Sequence, residues 1–307
     1  MDSPSERILI TGGAGFSGRL LAERLRQDGN DVVILSRRAG PGCDLDIDLC
    51  DFDAVTHALT RIKPSAVVHL AGIAAPTHSN IGEIYSANVV GTANLFAALA
   101  SAKVEPKIII IASSAQVYAE PDAKVPLAED ALLGPRTHYA VSKYTAEKIA
   151  AIYSRYFPII VARPFNYTGP GQTTDFLIPK IVQHYVERRC QIRLGNLAVF
   201  RDISSVERVD EAYSRLVLRS IGPTIVNICS GRATCLADIP KIMEEVSGHS
   251  VKLIIDSSLF RADEPQYFVG SPSRLEGLTG PLPNPQLRET LVKMYEAVLK
   301  GGRNYQR

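Results

Sequence analysis

The sequence predicts an α/β fold, a doubly wound parallel sheet carrying a smaller mixed α/β lobe. Three observations predict it. Short continuous apolar runs alternate with amphipathic segments through the first half of the chain, a glycine cluster joins the first run to the first amphipathic segment, and the texture changes after Arg163-Pro164.

Taken in order, Ile8-Leu9-Ile10, Val32-Val33-Ile34-Leu35, Ala66-Val67-Val68-His69-Leu70, Ile108-Ile109-Ile110-Ile111 and Ile159-Ile160-Val161 read as strands. Their runs are continuous rather than alternating, as strands covered on both faces require. Helices are expected near 17–28, 51–62, 82–103 and 139–156. On the first of these, Phe16, Leu20, Leu21 and Leu25 make one apolar stripe. Right-handed crossovers then generate the doubly wound, Rossmann-like order. Beyond the turn cluster Gly169-Pro170-Gly171 the elements are expected to be shorter and less regular. The division is therefore placed at 1–164 for the first domain and 165–307 for a lobe mainly concerned with a second ligand, part of it returning to the first domain.

Composition bounds the function. The chain has 307 residues, 46% hydrophobic and 21% charged, and a formal net charge of +2, which suits a globular enzyme. The charges are dispersed, so nucleic acid is not an expected partner. No apolar run reaches membrane-spanning length, and the start lacks a signal core, so a cytoplasmic protein is expected. The five cysteines form no C-x-x-C pair and the six histidines are scattered, so no metal site is expected.

Thr11-Gly12-Gly13-Ala14-Gly15-Phe16-Ser17-Gly18 directly follows the first strand and opens the first helix. Glycines serve where a turn is tight and backbone must approach a pyrophosphate, which the helix amino terminus then attracts. Gly12, Gly15, Phe16, Ser17 and Gly18 are thus expected to bind a dinucleotide. The second strand ends in Leu35-Ser36-Arg37-Arg38, with no acid for ribose hydroxyls. A hydroxyl followed by two guanidiniums suits a 2′-phosphate, so Ser36, Arg37 and Arg38 favour NADP(H) over NAD(H). Asp48-Leu49 are candidates for adenine, with Asp48 accepting from its amino group.

Tyr139-Ala140-Val141-Ser142-Lys143 begins the fourth helix, placing Tyr139 and Lys143 on one face. Tyrosine, with an ordinary pKa of about 10, is a usable acid if its phenolate is stabilised, and Lys143 is expected to lower that pKa by ~1–3 units. Ser114 ends the Ile108–Ile111 strand, where sheets of this kind bind ligands, and can align a substrate oxygen. Ser114, Tyr139 and Lys143 are therefore the candidate catalytic residues.

These residues resemble the extended short-chain dehydrogenase/reductases that act on nucleotide sugars. The resemblance rests on Thr11-Gly12-x-x-Gly15-x-x-Gly18, His69-Leu70-Ala71-Gly72, Asn88-x-x-Gly91-Thr92, Ser113-Ser114-Ala115-Gln116-Val117-Tyr118, Tyr139-x-x-x-Lys143 and Arg163-Pro164-Phe165-Asn166. It implies cofactor contacts at Leu70, Ala71, Gly72, Asn88 and Pro164, a sugar contact at Gln116, and diphosphate contacts at Asn166 and Arg201. Gly169-Pro170-Gly171-Gln172, Leu194-Gly195-Asn196 through Arg201-Asp202, and Arg261-Ala262-Asp263-Glu264 are similar to the GDP-sugar branch. There the resemblance implies Lys180 and Asn196 near the base, Arg201 and Arg261 near the phosphates, Glu264 near the ribose, and a homodimer. The chain departs from the family pattern at His138, Gly72 and Ala119, where proline, alanine and glycine are common.

Sugar dehydratases of this family carry an acid pair after the catalytic hydroxyl, and here those places hold Ala115 and Gln116. The resemblance thus implies reduction of the 4-keto group of a nucleotide-linked 6-deoxy-4-keto-hexose. A 4-epimerase or dehydrogenase on a related sugar, and a non-catalytic NADP(H)-binding sensor, are the alternatives.

Overall fold

The computed structural model describes residues 6–37, 42–74, 78–121, 123–219, 221–260 and 264–302. Arg38 and Arg261 lie outside the described residues. The first half runs β1 (Arg7–Thr11), α1 (Phe16–Gln27), β2 (Asp31–Ser36), β3 (Leu45–Asp46), α2 (Phe52–Ile62), β4 (Ala66–His69), α3 (Ile81–Tyr85), a π-turn (Ser86–Val90), α4 (Gly91–Ser101), β5 (Ile108–Ala112), α5 (His138–Tyr153) and β6 (Ile159–Pro164). The second half runs β7 (Asn166–Thr168), α6 (Leu177–Val186), β8 (Gln191–Leu194), β9 (Phe200–Ser205), α7 (Val206–Leu218), β10 (Thr224–Ile228), β11 (Ala233–Cys235), α8 (Asp238–Ser247), β12 (Lys252–Ile255), β13 (Tyr267–Phe268), α9 (Ser273–Thr279) and α10 (Leu287–Gly302).

The main sheet has seven strands in the order β10-β6-β5-β4-β1-β2-β3, every neighbour parallel. The order reverses beside β1, which pairs with β2 on one side and β4 on the other. That reversal leaves a crevice at the carboxyl ends of β1 and β4. Two apolar layers cover the sheet. Ile8, Ile10, Leu21, Leu25, Val68 and Ile110 pack with Val209, Leu216, Val226, Leu275 and Leu282 on one face. Leu9, Leu59, Val67, Leu95, Phe96, Ile109 and Val161 fill the other. Each such fully buried Leu, Ile or Phe contributes about 1.5–3 kcal/mol. The buried face of α1 is Gly18, Leu21, Ala22 and Leu25, while Phe16 and Leu20 are only half-buried, so the stripe is turned by about one residue from the expected one.

The expectation of short, irregular elements after 165 needs correction. α7 spans 13 residues and α10 spans 16, as long as any helix of the first half. Buried Arg208 on α7 staples distant chain together, donating to Cys229 O at 2.7 Å, Leu282 O at 3.2 Å, Pro283 O at 3.1 Å and Glu276 at 2.6 Å. A third core, with Ile181, Tyr185, Ile192, Val199, Ile203, Ile239 and Leu291, belongs to the remaining lobe. There β9 sits between β11 and β13 and also pairs with β7.

Candidate active site

The first part of the site is the turn from β1 to α1. Gly12 has φ +71°, and its amide donates to Leu35 O at 2.8 Å. A Cβ built there would lie 2.6 Å from Ala71 Cα, so two backbones meet with no room for a side chain. Gly15 precedes α1 without a capping side chain, and the first turn holds no acid, so the amides of Phe16, Ser17 and Gly18 keep their donor character at the crevice. Phe16 stacks on Tyr167 (centroids 6.1 Å apart), and Ser17 Oγ donates to the Tyr167 hydroxyl at 2.9 Å. Tyr167 was not among the expected residues. Its position in Asn166-Tyr167-Thr168-Gly169, straight after β6, is the signal that could have suggested it.

Behind this turn, buried His69 joins β4 to its neighbours. Thr92 Oγ1 donates to Asn88 O at 2.7 Å and so must accept from His69 Nε2 at 2.9 Å; Thr11 Oγ1 then donates to His69 Nδ1 at 2.6 Å. Burial, aided by the Lys143 charge, pushes the imidazole down to about 3, so it stays neutral. Leu70 follows β4, its amide donating to Thr11 O at 3.0 Å. Gly72 has φ +153°, and a Cβ there would stand 2.5 Å from Asn88 Oδ1 and 3.1 Å from Lys143 Nζ. The glycine in place of the family's common alanine thus has a local cause. Asn88, in the π-turn, accepts from Ile73 N at 2.8 Å and donates to Ser142 Oγ at 2.9 Å and to Ile73 O at 3.2 Å. Its amide is committed to holding this loop against α5.

At the other end of the crevice, Ser36 stands opposite Asp46 of β3 in register, so an acid does lie beside the strand end. Arg37 is exposed just after β2, and Asp48 Oδ1 accepts from the amide of Cys50 at 2.9 Å. Leu49 is buried in the core beside Gly91. Pro164 ends β6 opposite Ile228 of β10.

The second part of the site is where β5 meets α5. Thr137 caps α5 by accepting from Ala140 N at 3.1 Å, which sets Tyr139 in the first turn. Tyr139, Ser114 and Lys143 are all buried, and the Ser114 hydroxyl lies close enough to the Tyr139 phenol to act on it. Lys143 Nζ donates to Ala112 O at 2.9 Å. Ser114 Oγ also accepts from the amide of Gln116, at 3.2 Å, in the single 3-10 turn that follows.

The expectation for the phenol is overturned. Burial pushes Tyr139 up to about 12, the Ser114 hydroxyl opposes this only in part, and Lys143 is not among the causes. Burial likewise pushes Lys143 down to about 8, and its ammonium is turned to a backbone carbonyl. Desolvation outweighs the cation here.

The residues expected to meet the nucleotide sugar are spread over the lobe. Asn166 opens β7, paired with Ile203 of β9, the strand that also carries Arg201. Buried Arg201 donates to Glu264 at 2.9 Å, Pro265 O at 2.7 Å and Phe200 O at 2.9 Å, so the expected phosphate and ribose residues are joined to each other. Asn196 accepts from Ala198 N at 2.9 Å. Lys180 lines a separate open cleft of about 530 Å³ with Thr174, Gln183, His184, Glu187 and Arg189, apart from Asn196 and Arg201. Among the described residues no cluster of His, Cys, Asp and Glu could hold a metal, and no helix is long and apolar enough to cross a membrane.

A switch-point crevice with a close glycine turn, and a buried Ser-Tyr-Lys set at its mouth, define an extended short-chain dehydrogenase/reductase. The chain belongs to the NAD dependent epimerase/dehydratase family, whose model matches residues 8–229. It is 32% identical over 274 residues to the GDP-6-deoxy-D-talose 4-dehydrogenase of Aggregatibacter actinomycetemcomitans, covering 89% of this chain and 91% of that protein. To the GDP-6-deoxy-D-mannose reductase of Pseudomonas aeruginosa it is 27% identical over 297 residues, covering 94% and 95%. Among solved structures, RMD from Pseudomonas aeruginosa complexed with NADPH superposes with a TM-score of 0.84 at 26% identity, covering 95% of this chain and 98% of that one.

Proposed function

We propose that this protein is an NADPH-dependent reductase of the 4-keto group of a GDP-linked 4-keto-6-deoxy-hexose, converting GDP-4-keto-6-deoxy-D-mannose to GDP-D-rhamnose. The observation that carries the reaction type is the buried set of Ser114, Tyr139 and Lys143, with Ser114 followed by Ala115 and Gln116, which offer no second acid or base. Support for the GDP-sugar comes from the two relatives named for GDP-6-deoxy sugars.

The turn at Gly12 and the uncapped start of α1 fit a pyrophosphate, with Leu70, Ala71 and Pro164 along the crevice. When bound, NADPH supplies the hydride to the carbonyl carbon. Tyr139, held protonated by burial, gives its proton to the resulting alkoxide, while Ser114 aligns that oxygen. Lys143 keeps positive charge beside the site, where the nicotinamide ribose would accept from it. Asn166, Arg201 and Glu264 hold the diphosphate and ribose, with Asn196 toward the base.

Two outcomes are expected from this assignment. Because burial lowers Lys143 to about 8, its charge is present below that pH and lost above it. The profile of kcat/KM for reduction should therefore fall as pH rises through about 8, and a profile flat to pH 10 would remove Lys143 from the mechanism. For cofactor choice, Arg37→Ala should raise the KM for NADPH by about 10–100-fold, the loss of one charge-assisted hydrogen bond. The KM for NADH should not change; an equal loss with both cofactors would remove the 2′-phosphate role.

A second reading is favoured by the relative named GDP-6-deoxy-D-talose 4-dehydrogenase. There the same hydride and proton steps act on the opposite C4 epimer. Nicotinamide absorbance with GDP-4-keto-6-deoxy-D-mannose, alongside its dTDP-4-keto-6-deoxy-D-glucose counterpart, tests the proposal, with NMR of the product assigning C4. NADPH oxidation by the GDP-sugar alone, giving the rhamno product, supports it. The talo product selects the second reading, and no oxidation with either sugar rejects the reductase.

A further inference from the structure

We propose that Glu147 and Arg163 are a positioning pair that holds Tyr139 and Ser114 at proton-transfer distance, an inference that rests on the reductase reading above. Glu147 lies on α5 one turn beyond Lys143 and two beyond Tyr139, with its carboxylate turned inward. Arg163 sits near the end of β6, one residue before Pro164. The two side chains are 6% and 2% exposed and pair bidentately, Arg163 Nε donating to Glu147 Oε1 at 2.8 Å and Nη2 to Oε2 at 2.7 Å. Ser113 Oγ donates to the same Oε1 at 2.5 Å. The remaining edge of the guanidinium donates to Glu129 O at 3.1 Å, and its plane lies 4.9 Å from the centre of the Tyr118 ring. Tyr118 ends the turn that begins at Ser114, and its hydroxyl donates to Asn227 Oδ1 at 2.7 Å.

One arginine therefore fastens three things: α5 with Tyr139 and Lys143, the end of β5 with Ser113 and Ser114, and the turn with Gln116. Neither partner contacts Tyr139 itself, so the pair acts through others. A buried ion pair is a poor source of stability, because desolvation cancels much of the attraction and apolar residues of like volume do as well or better. What the fork of a guanidinium adds is direction. It fixes the rotation of α5 about its axis, which decides where the Tyr139 hydroxyl points.

The test compares wild type, Glu147→Gln and the double variant Glu147→Leu/Arg163→Met on whichever keto-sugar the wild type reduces, with crystal structures of each. Glu147→Gln should lower kcat about 10²-fold, the cost of a misplacement of roughly 1 Å. KM and NADPH affinity should change little, and Tm should fall because Arg163 is left unpaired. The double variant should recover Tm but not kcat, with the Ser114 and Tyr139 hydroxyls farther apart in its structure than in the wild type. Recovery of kcat together with Tm would overturn the proposal and leave the pair merely structural. Should the double variant not fold, Ser113→Ala decides: kcat falls about 5–10-fold at unchanged Tm, or the proposal fails. If the wild type reduces no keto-sugar, the functional reading fails by itself. The structures still decide this one, since an unchanged distance between the Ser114 and Tyr139 hydroxyls in Glu147→Gln would overturn it.

Discussion

A Tyr139→Phe variant is expected to lose about 10²–10⁴-fold in kcat, the usual contribution of a positioned general acid. NADPH binding should be nearly unchanged. The phenyl ring fills the same buried place beside Ser114, so the crevice and the Gly12 turn are untouched. The loss is large because Lys143 points to Ala112 O, and Gln116 and Ala115 cannot replace a phenol. The same variant separates an enzyme from a cofactor-binding sensor. Near-normal turnover would refute the role of Tyr139, and a wild type that binds NADPH without oxidising it on any keto-sugar would favour the sensor.

The second large effect is expected from Gly12→Ala. The methyl group would meet the Ala71 backbone at 2.6 Å while the residue is held at φ +71°. Overpacking and a left-handed alanine together cost about 2–4 kcal/mol. The loop must also withdraw from the pyrophosphate position, so NADPH affinity should fall more than tenfold by the factor-of-ten-per-1.4 kcal/mol rule, taking about 1.4 kcal/mol or more of the cost in the loop. Gly29→Ala is the control: φ is +84°, but nothing lies within 4 Å of its Cβ. That variant should lose only about 1–2 kcal/mol and bind NADPH normally. Equal losses in both, measured by denaturant unfolding and cofactor titration, would mean that close approach to Ala71 does not matter.

Much of the fold was legible because strands buried on both faces must be continuously apolar. Ile108–Ile111 and Ile159–Val161 are such runs, short and β-branched at every position. β3 was missed because it is only two residues long, and β10 because Thr224 and Asn227 interrupt its run. Asn227 is explicable only from tertiary structure, where its side chain bonds Tyr118 and Leu127 O. The pairing of Arg201 with Glu264 spans 63 residues, so sequence could suggest two ligand-facing residues but not that they face each other. Glu147 failed to attract notice for a similar reason. An acid on an amphipathic helix reads as solvated, and only the fold brings Arg163 to it. Even so, its spacing of four from Lys143 was a usable signal. The direction of the Tyr139 shift depends on how deeply the phenol is buried, which no local pattern encodes.

Leu275 and Leu282 share a core with Ile8 and Ile10, and Arg208 reaches across to the chain around them. Strand β1 is thus made long before the segments that complete the layer covering it. During translation the face of α1 bearing Leu21 and Leu25 lacks its helical neighbour until α7 emerges. A nascent chain in that interval exposes apolar surface. The cover of the sheet is complete only once residue 282 has been made, so a chain stalled before it should be more open to chaperones and proteases than one extended past it.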